Sequence, residues 1–128
     1  MLKLSSHPNS IHQIELFVNE LFEEYQIAPQ RRGDIMISLT EAVNNAIIHG
    51  NDSEPDKMVE VHSECCGEYL DFVVSDEGEG FDYTAVPDPT APENLCKCGG
   101  RGVFLMRELS DDISFNDNGS TVRISFQI

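Results

Sequence analysis

Between Met58 and Ser75 the sequence alternates with a period of two, and only one of the two faces so generated is apolar. Val59 and Val61 fall on one side of Met58–Glu64, with Glu60 and His62 on the other; in Glu68–Ser75 the inward set is Leu70, Phe72 and Val74. Gly67 stands between the runs and marks a hairpin. An antiparallel pair with one wet face has to cover its other face with a second layer. The C-terminal end repeats the pattern. Val122, Ile124, Phe126 and Ile128 point one way, after a short strand at Ile113–Phe115 and the turn residues Asn116-Asp117-Asn118-Gly119. Leu2–Ser6 adds a short apolar run suited to a sheet edge.

The covering layer comes from segments with helical spacing. Pro8, Asn9 and Ser10 mark a turn and a helix start, with Asn9 or Ser10 as N-cap. Ile11, Ile14, Leu16, Phe17, Leu21 and Phe22 then carry an apolar face to about Tyr25. Pro29 opens a second helix at its first turn, and Gly50 is placed to cap its C-terminus. A third helix runs from Gly102 onward, with Val103, Met106 and Leu109 on one face. The expected architecture is α+β: a two-layer α/β sandwich with a mostly antiparallel sheet and helices on one face only. A chain of 128 residues has room for one core, so 1–128 is expected to be a single domain.

The formal net charge of −15 argues against nucleic acid and anionic membrane surfaces as partners, because both need a basic footprint. No apolar run approaches the roughly 20 residues of a membrane span, and MLKLSSHPNS lacks the apolar core of a signal peptide, so the expected location is cytoplasmic. Cys65-Cys66 and Cys96-x-Cys98 do not have zinc-ligand spacing and read as reduced thiols.

Three stretches can carry chemistry. In Ser38–Gly50, SLTEAVNNAIIHG, Glu41 and Asn45 lie one helical turn apart, opposite the apolar stripe Ile35, Leu39, Ala42, Val43, Ala46 and Ile47. A carboxylate and a carboxamide side by side can serve as a base and a magnesium ligand, or simply form a solvated helix face. Asp76-Glu77-Gly78-Glu79-Gly80 follows a strand and sets a carboxylate beside backbone that another molecule can approach closely. Such a carboxylate accepts from an exocyclic amine like that of adenine; the stretch is equally compatible with an acidic glycine-rich turn. Gly99-Gly100-Arg101-Gly102 precedes a helix, where free N–H groups and the helix dipole suit phosphate. The Lys-Ser/Thr of a P-loop is missing there, and no parallel βαβ unit surrounds either glycine cluster. Between these clusters lies a proline-containing segment, about 81–99, of the length and composition of a lid.

Taken in order, EAVNNAIIHGN, DEGEGFD and GGRGVFLMRELSDD resemble the GHKL ATP-binding superfamily, which includes histidine kinases and type II topoisomerases. Within it they are most similar to anti-sigma-factor serine/threonine-protein kinases of the partner-switching type. The resemblance covers most of the chain. It implies ATP and Mg2+ as cofactors, with Asn45 as magnesium ligand and Glu41 as general base. It also implies that Asp76 contacts the adenine amine with Thr121 supporting it through water, and that Gly78 and Gly80 shape the base pocket. Gly100, Arg101 and Gly102 would line the triphosphate.

The function implied is a serine-protein kinase that sequesters a sigma factor and phosphorylates an anti-anti-sigma antagonist protein, as a homodimer. Two other functions fit the same residues. Lys97 and Cys98 stand where related kinases often carry an arginine before the glycines, which leaves room for an ATP-gated partner-binding regulator with weak chemistry. An ATPase in which Glu41 activates water is the third reading.

Overall fold

A computed structural model describes residues 1–51, 53–78, 100–116 and 120–128. The elements are β1 (Leu2–Ser5), a 3-10 turn (Pro8–Ser10), α1 (Ile11–Glu24), α2 (Pro29–Asn45), a π-helical turn (Ala46–Gly50), β2 (Met58–Cys66), β3 (Tyr69–Ser75), α3 (Gly100–Leu109), β4 (Asp112–Asn116) and β5 (Thr121–Gln127). The strands form one antiparallel sheet in the order β1-β2-β3-β5-β4. This is the α+β sandwich that the alternation demanded.

The sheet contributes Leu4, Val59, Val61, Leu70, Phe72, Val74, Val122, Ile124 and Phe126 to one buried face, and the helices close over it. Phe72 and Phe126 meet edge to face with centroids 6.2 Å apart, a favoured geometry for paired rings. The other face is polar. Across it Arg123 pairs with Asp71 at 2.7 Å and with Glu64 at 3.5 Å. Burial of the α2 stripe follows the sequence pattern: Ile35, Leu39, Ala42, Val43, Ala46 and Ile47 are all inside.

Several expectations change in detail. Leu16 is 69% exposed, because it lies about 200° around the helix from buried Ile14; Val18 takes the inward position instead. Ser10 stands at the α1 N-terminus but its side chain caps no N–H; its hydroxyl pairs with Ser5 Oγ at 3.2 Å. The β2–β3 ladder runs to the tip through Cys65↔Leu70 and Cys66↔Tyr69, so β2 ends two residues later than the alternation suggested. A two-residue turn with Gly67 at φ 64° permits this. Helix α3 begins at Gly100, two residues before the expected start. Cys65 and Cys66 are free and exposed. Cys96, Cys98, Gly80 and the expected lid at 81–99 lie outside the described residues. Among the described residues, no helix is long and apolar enough to cross a membrane.

Candidate nucleotide site

Pro29 starts α2 where a missing N–H costs nothing, and the helix carries its apolar stripe across the sheet. The opposite side of its last turns presents Glu41 and Asn45, both half-buried. The first turn of α3 (Gly100, Arg101, Gly102) lies against them. A Cβ built on Gly102 would sit 3.0 Å from Asn45 Nδ2, 3.1 Å from Glu41 Oε2 and 3.2 Å from Asn45 Oδ1. The two side chains therefore meet at one point, at the N-terminal end of a helix whose dipole favours anions.

After Asn45 the helix widens into the π turn, closed by the Asn51 N–H donating to Ala46 O at 2.9 Å. Single π turns recur at functional sites. Gly50 is reached through it, and its role differs from the expected left-handed cap: among the described glycines only Gly67 has positive φ. What Gly50 provides is space. A Cβ there would fall 2.3–2.7 Å from the Asp76 carboxylate, and one on Gly78 would fall 1.9 Å from Gly50 O. Neither backbone can carry a side chain.

Asp76 follows β3, and its N–H donates to Ser120 O at 2.9 Å. Its Oδ1 accepts the Gly78 N–H at 2.8 Å. Burial pushes this carboxyl above the usual carboxylate range, against weaker opposing effects of the Gly78 hydrogen bond and the Lys57 charge. A half-buried acceptor held away from bulk water by two glycines suits a donor such as an exocyclic amine. Glu41 and Gly50 are nine residues apart, about 13 Å along the helix axis, so an anion-favouring end and an acceptor end lie along one helix.

Thr121 opens β5. Strand alternation puts its side chain opposite buried Val122, on the polar face of the sheet, and its hydroxyl donates to Ser75 Oγ at 3.2 Å. The Asp76 carboxylate lies on the helix side, against Gly50.

Two residues escaped the sequence reading. Gly50 was legible only as a helix stop. Asn51, fully buried, donates from Nδ2 to Ser6 Oγ (2.8 Å) and Met58 O (3.1 Å), while its Oδ1 accepts the Glu77 N–H (2.8 Å). An asparagine after a helix-ending glycine signals a turn before it signals a buried junction.

For a metal, the oxygen donors at hand are the Asn45 amide and the Glu41 carboxylate beside it. No group of three or more His, Cys, Asp or Glu residues able to hold a cation occurs among the described residues. That set does not fit a metal caged by protein, but it fits magnesium, which keeps several waters and takes most other ligands from substrate phosphates.

Residues 4–126 match the family described as the histidine kinase-like ATPase domain. The serine-protein kinase RsbW of Staphylococcus epidermidis is 26% identical over 129 residues, covering 94% of this chain and 81% of that protein. The RsbW of Staphylococcus aureus strain JH9 is 28% identical over 100 residues, covering 72% of this chain and 63% of that protein. Among solved structures, the histidine kinase domain of the blue-light activated histidine kinase EL346 from Erythrobacter litoralis aligns with a TM-score of 0.52 at 23% identity. It covers 76% of this chain, which in turn spans 44% of that one. With a match over almost its whole length, the chain belongs to the histidine kinase-like ATPase domain family.

Proposed function

We propose that this chain is an ATP-dependent serine-protein kinase and anti-sigma factor, acting in the cytoplasm as a homodimer in which residues 1–128 of each copy form one ATP-binding domain. The observation that carries the reading is the placement of Glu41 and Asn45 together against the first turn of α3, with Asp76 seated farther along the same helix at Gly50. The family match supports ATP as ligand, and the kinases among the relatives support protein serine as acceptor.

In this reading Asp76 accepts from the adenine amine, with Gly78 and Gly80 shaping the base pocket. Gly100, Arg101 and Gly102 line the phosphates, where the α3 N-terminus adds favourable field. Asn45 holds Mg2+, which when bound neutralises phosphate charge. Glu41, one turn before Asn45, takes the proton from the incoming serine hydroxyl. Phosphoryl transfer requires mainly positioning and charge stabilisation, and this set offers both. The partners are a sigma factor, held in the nucleotide-bound form, and a small antagonist protein whose serine is the acceptor.

Incubating the protein with γ-labelled ATP and a candidate antagonist tests the kinase. Label on antagonist serine that disappears in Glu41→Ala is expected. Absence of transfer to any antagonist, with ATP still bound, favours a regulator without useful chemistry.

A further inference from the structure

Buried asparagines are uncommon, and they persist where the amide is matched on both sides. The amide of Asn51 joins three segments: its donor side reaches Ser6 after β1 and Met58 at the start of β2, and its acceptor side reaches Glu77 after β3. The first two segments are tied independently, since Ser6 N–H and Ser6 Oγ both donate to Lys57 O, at 3.1 and 2.7 Å. The donor side of Asn51 therefore reinforces an existing junction. The acceptor side reaches Glu77, whose carboxylate also accepts the Met58 N–H, and it holds the Glu77 main chain where that contact holds only the side chain. Glu77 lies between Asp76, whose N–H is held by Ser120 O, and Gly78, whose N–H closes on the Asp76 carboxylate. Asn51 thus fixes the peptide on the far side of Asp76.

We propose that Asn51 is a positioning residue for base selection: by holding the Glu77 N–H it sets the direction in which Asp76 presents its free carboxylate oxygen. It thereby enforces preference for a purine with an exocyclic amine over one with a carbonyl at the same position. This rests on Asp76 as the base-reading group. Asn51 touches no ligand itself. Without it the Glu77 amide loses its acceptor and the short loop between β3 and Gly78 turns, blunting discrimination more than it weakens phosphate contacts.

The test is competition of ATP and of inosine triphosphate against a fluorescent ATP analogue on the full chain, read as the ratio of the two affinities. Wild type should favour ATP. Asn51→Ala should lose about tenfold in ATP affinity, the scale of one orphaned hydrogen bond, with inosine triphosphate changed less, so that the ratio falls. Ser6→Ala, which removes a donor-side partner and leaves Glu77 alone, should lower the melting temperature and keep the ratio. A wild-type ratio in Asn51→Ala, or an equal fall in Ser6→Ala, overturns the proposal. A wild type that does not discriminate overturns the Asp76 reading and this proposal with it, whereas discrimination unaffected by Asn51 overturns this proposal alone. Amide hydrogen exchange on the unmodified protein decides the matter even if Asn51→Ala does not fold: the Glu77 amide should be protected like a strand amide, and rapid exchange would overturn the assignment.

Discussion

The two contacts made by α2 and the π turn that continues it, at Gly102 and at Gly50, are built by opposite means. At Gly50 the fit is backbone against carboxylate, with no tolerance: an added Cβ would lie 2.3 Å from Asp76 Oδ2. A buried amide, Asn51, locks the adjoining loop. At Gly102 the same hypothetical Cβ would lie 3.0–3.2 Å from the far ends of two flexible side chains, Glu41 and Asn45. A few tenths of an ångström of side-chain movement would relieve those contacts. The Gly50 end, the base end of the proposed site, is thus a mould, and the Gly102 end, its phosphate end, an adjustable contact. That division suits a protein that has to recognise one base and then accommodate reacting phosphates. Substitutions at the two ends should accordingly fail in different ways.

The largest separation is expected at Glu41. Replacing it by Gln keeps the shape and should lower phosphotransfer by about 10²–10⁴-fold, the range for loss of a positioned base. ATP affinity should stay within about threefold, since binding at the base end does not involve it. Single-turnover transfer and equilibrium binding measured on the same preparation separate the two quantities. A parallel collapse of affinity would mean that Glu41 belongs to the binding contacts instead.

Gly50→Ala attacks the mould. The Cβ cannot be admitted without moving Asp76 or the π turn, and overpacking of this kind costs about 1–3 kcal/mol. ATP affinity should fall at least tenfold with it, because the displaced group is the base acceptor of the proposed site. Thermal denaturation and nucleotide titration check both effects. A Gly50→Ala protein with unaltered affinity would show that this contact is not part of the site.

Asp76→Asn should make binding worse and the fold better. The carboxyl is raised by burial, so relative to the unfolded chain the fold favours its protonated form. Its contribution is fully present below the ordinary carboxylate range and is lost as pH rises through the raised value. At neutral pH the ionised group therefore costs stability, and Asn, which retains an acceptor for the Gly78 N–H, removes that cost. Melting temperatures should be higher for Asp76→Asn at pH 7, and the gap should narrow as the pH falls through the carboxylate range. A constant gap would assign the difference to packing. ATP affinity should drop, because an amide that can turn its donor outward no longer matches an exocyclic amine.

The same contrast explains what could be read from the sequence. Periodicity exposed the sheet, the α2 stripe and the Glu41–Asn45 pair, because each follows from spacing within one element. Leu16 was misassigned within that logic, since a two-residue step from Ile14 crosses the helix. Gly50, Asn51 and the sheet face taken by Thr121 are of another kind. They depend on which backbone lies across from them, and on a strand parity fixed by the β3–β5 register Ser75↔Thr121. A glycine needed for space and a glycine needed for a helix stop are spelled identically. Only the approach of Asp76 distinguishes them.

The smallest effect should be that of Gly102→Ala, and it probes the adjustable end most directly. Two terms oppose each other. Alanine is about 1 kcal/mol better than glycine in a helix interior, and Gly102, in the first turn of α3, should realise part of that gain. Against this, Glu41 and Asn45 must shift to admit a methyl group at 3.0–3.2 Å. Because those are side-chain termini rather than backbone, the shift should consume only part of the gain, leaving stability unchanged or raised by up to about 1 kcal/mol. Transfer should still slow, by about tenfold, since small misplacements of reacting groups are amplified in rate. A variant that is both stable and slow is the signature of a contact kept loose for chemistry. If Gly102→Ala instead destabilised the protein as much as Gly50→Ala, both ends would be moulds and the contrast would fail.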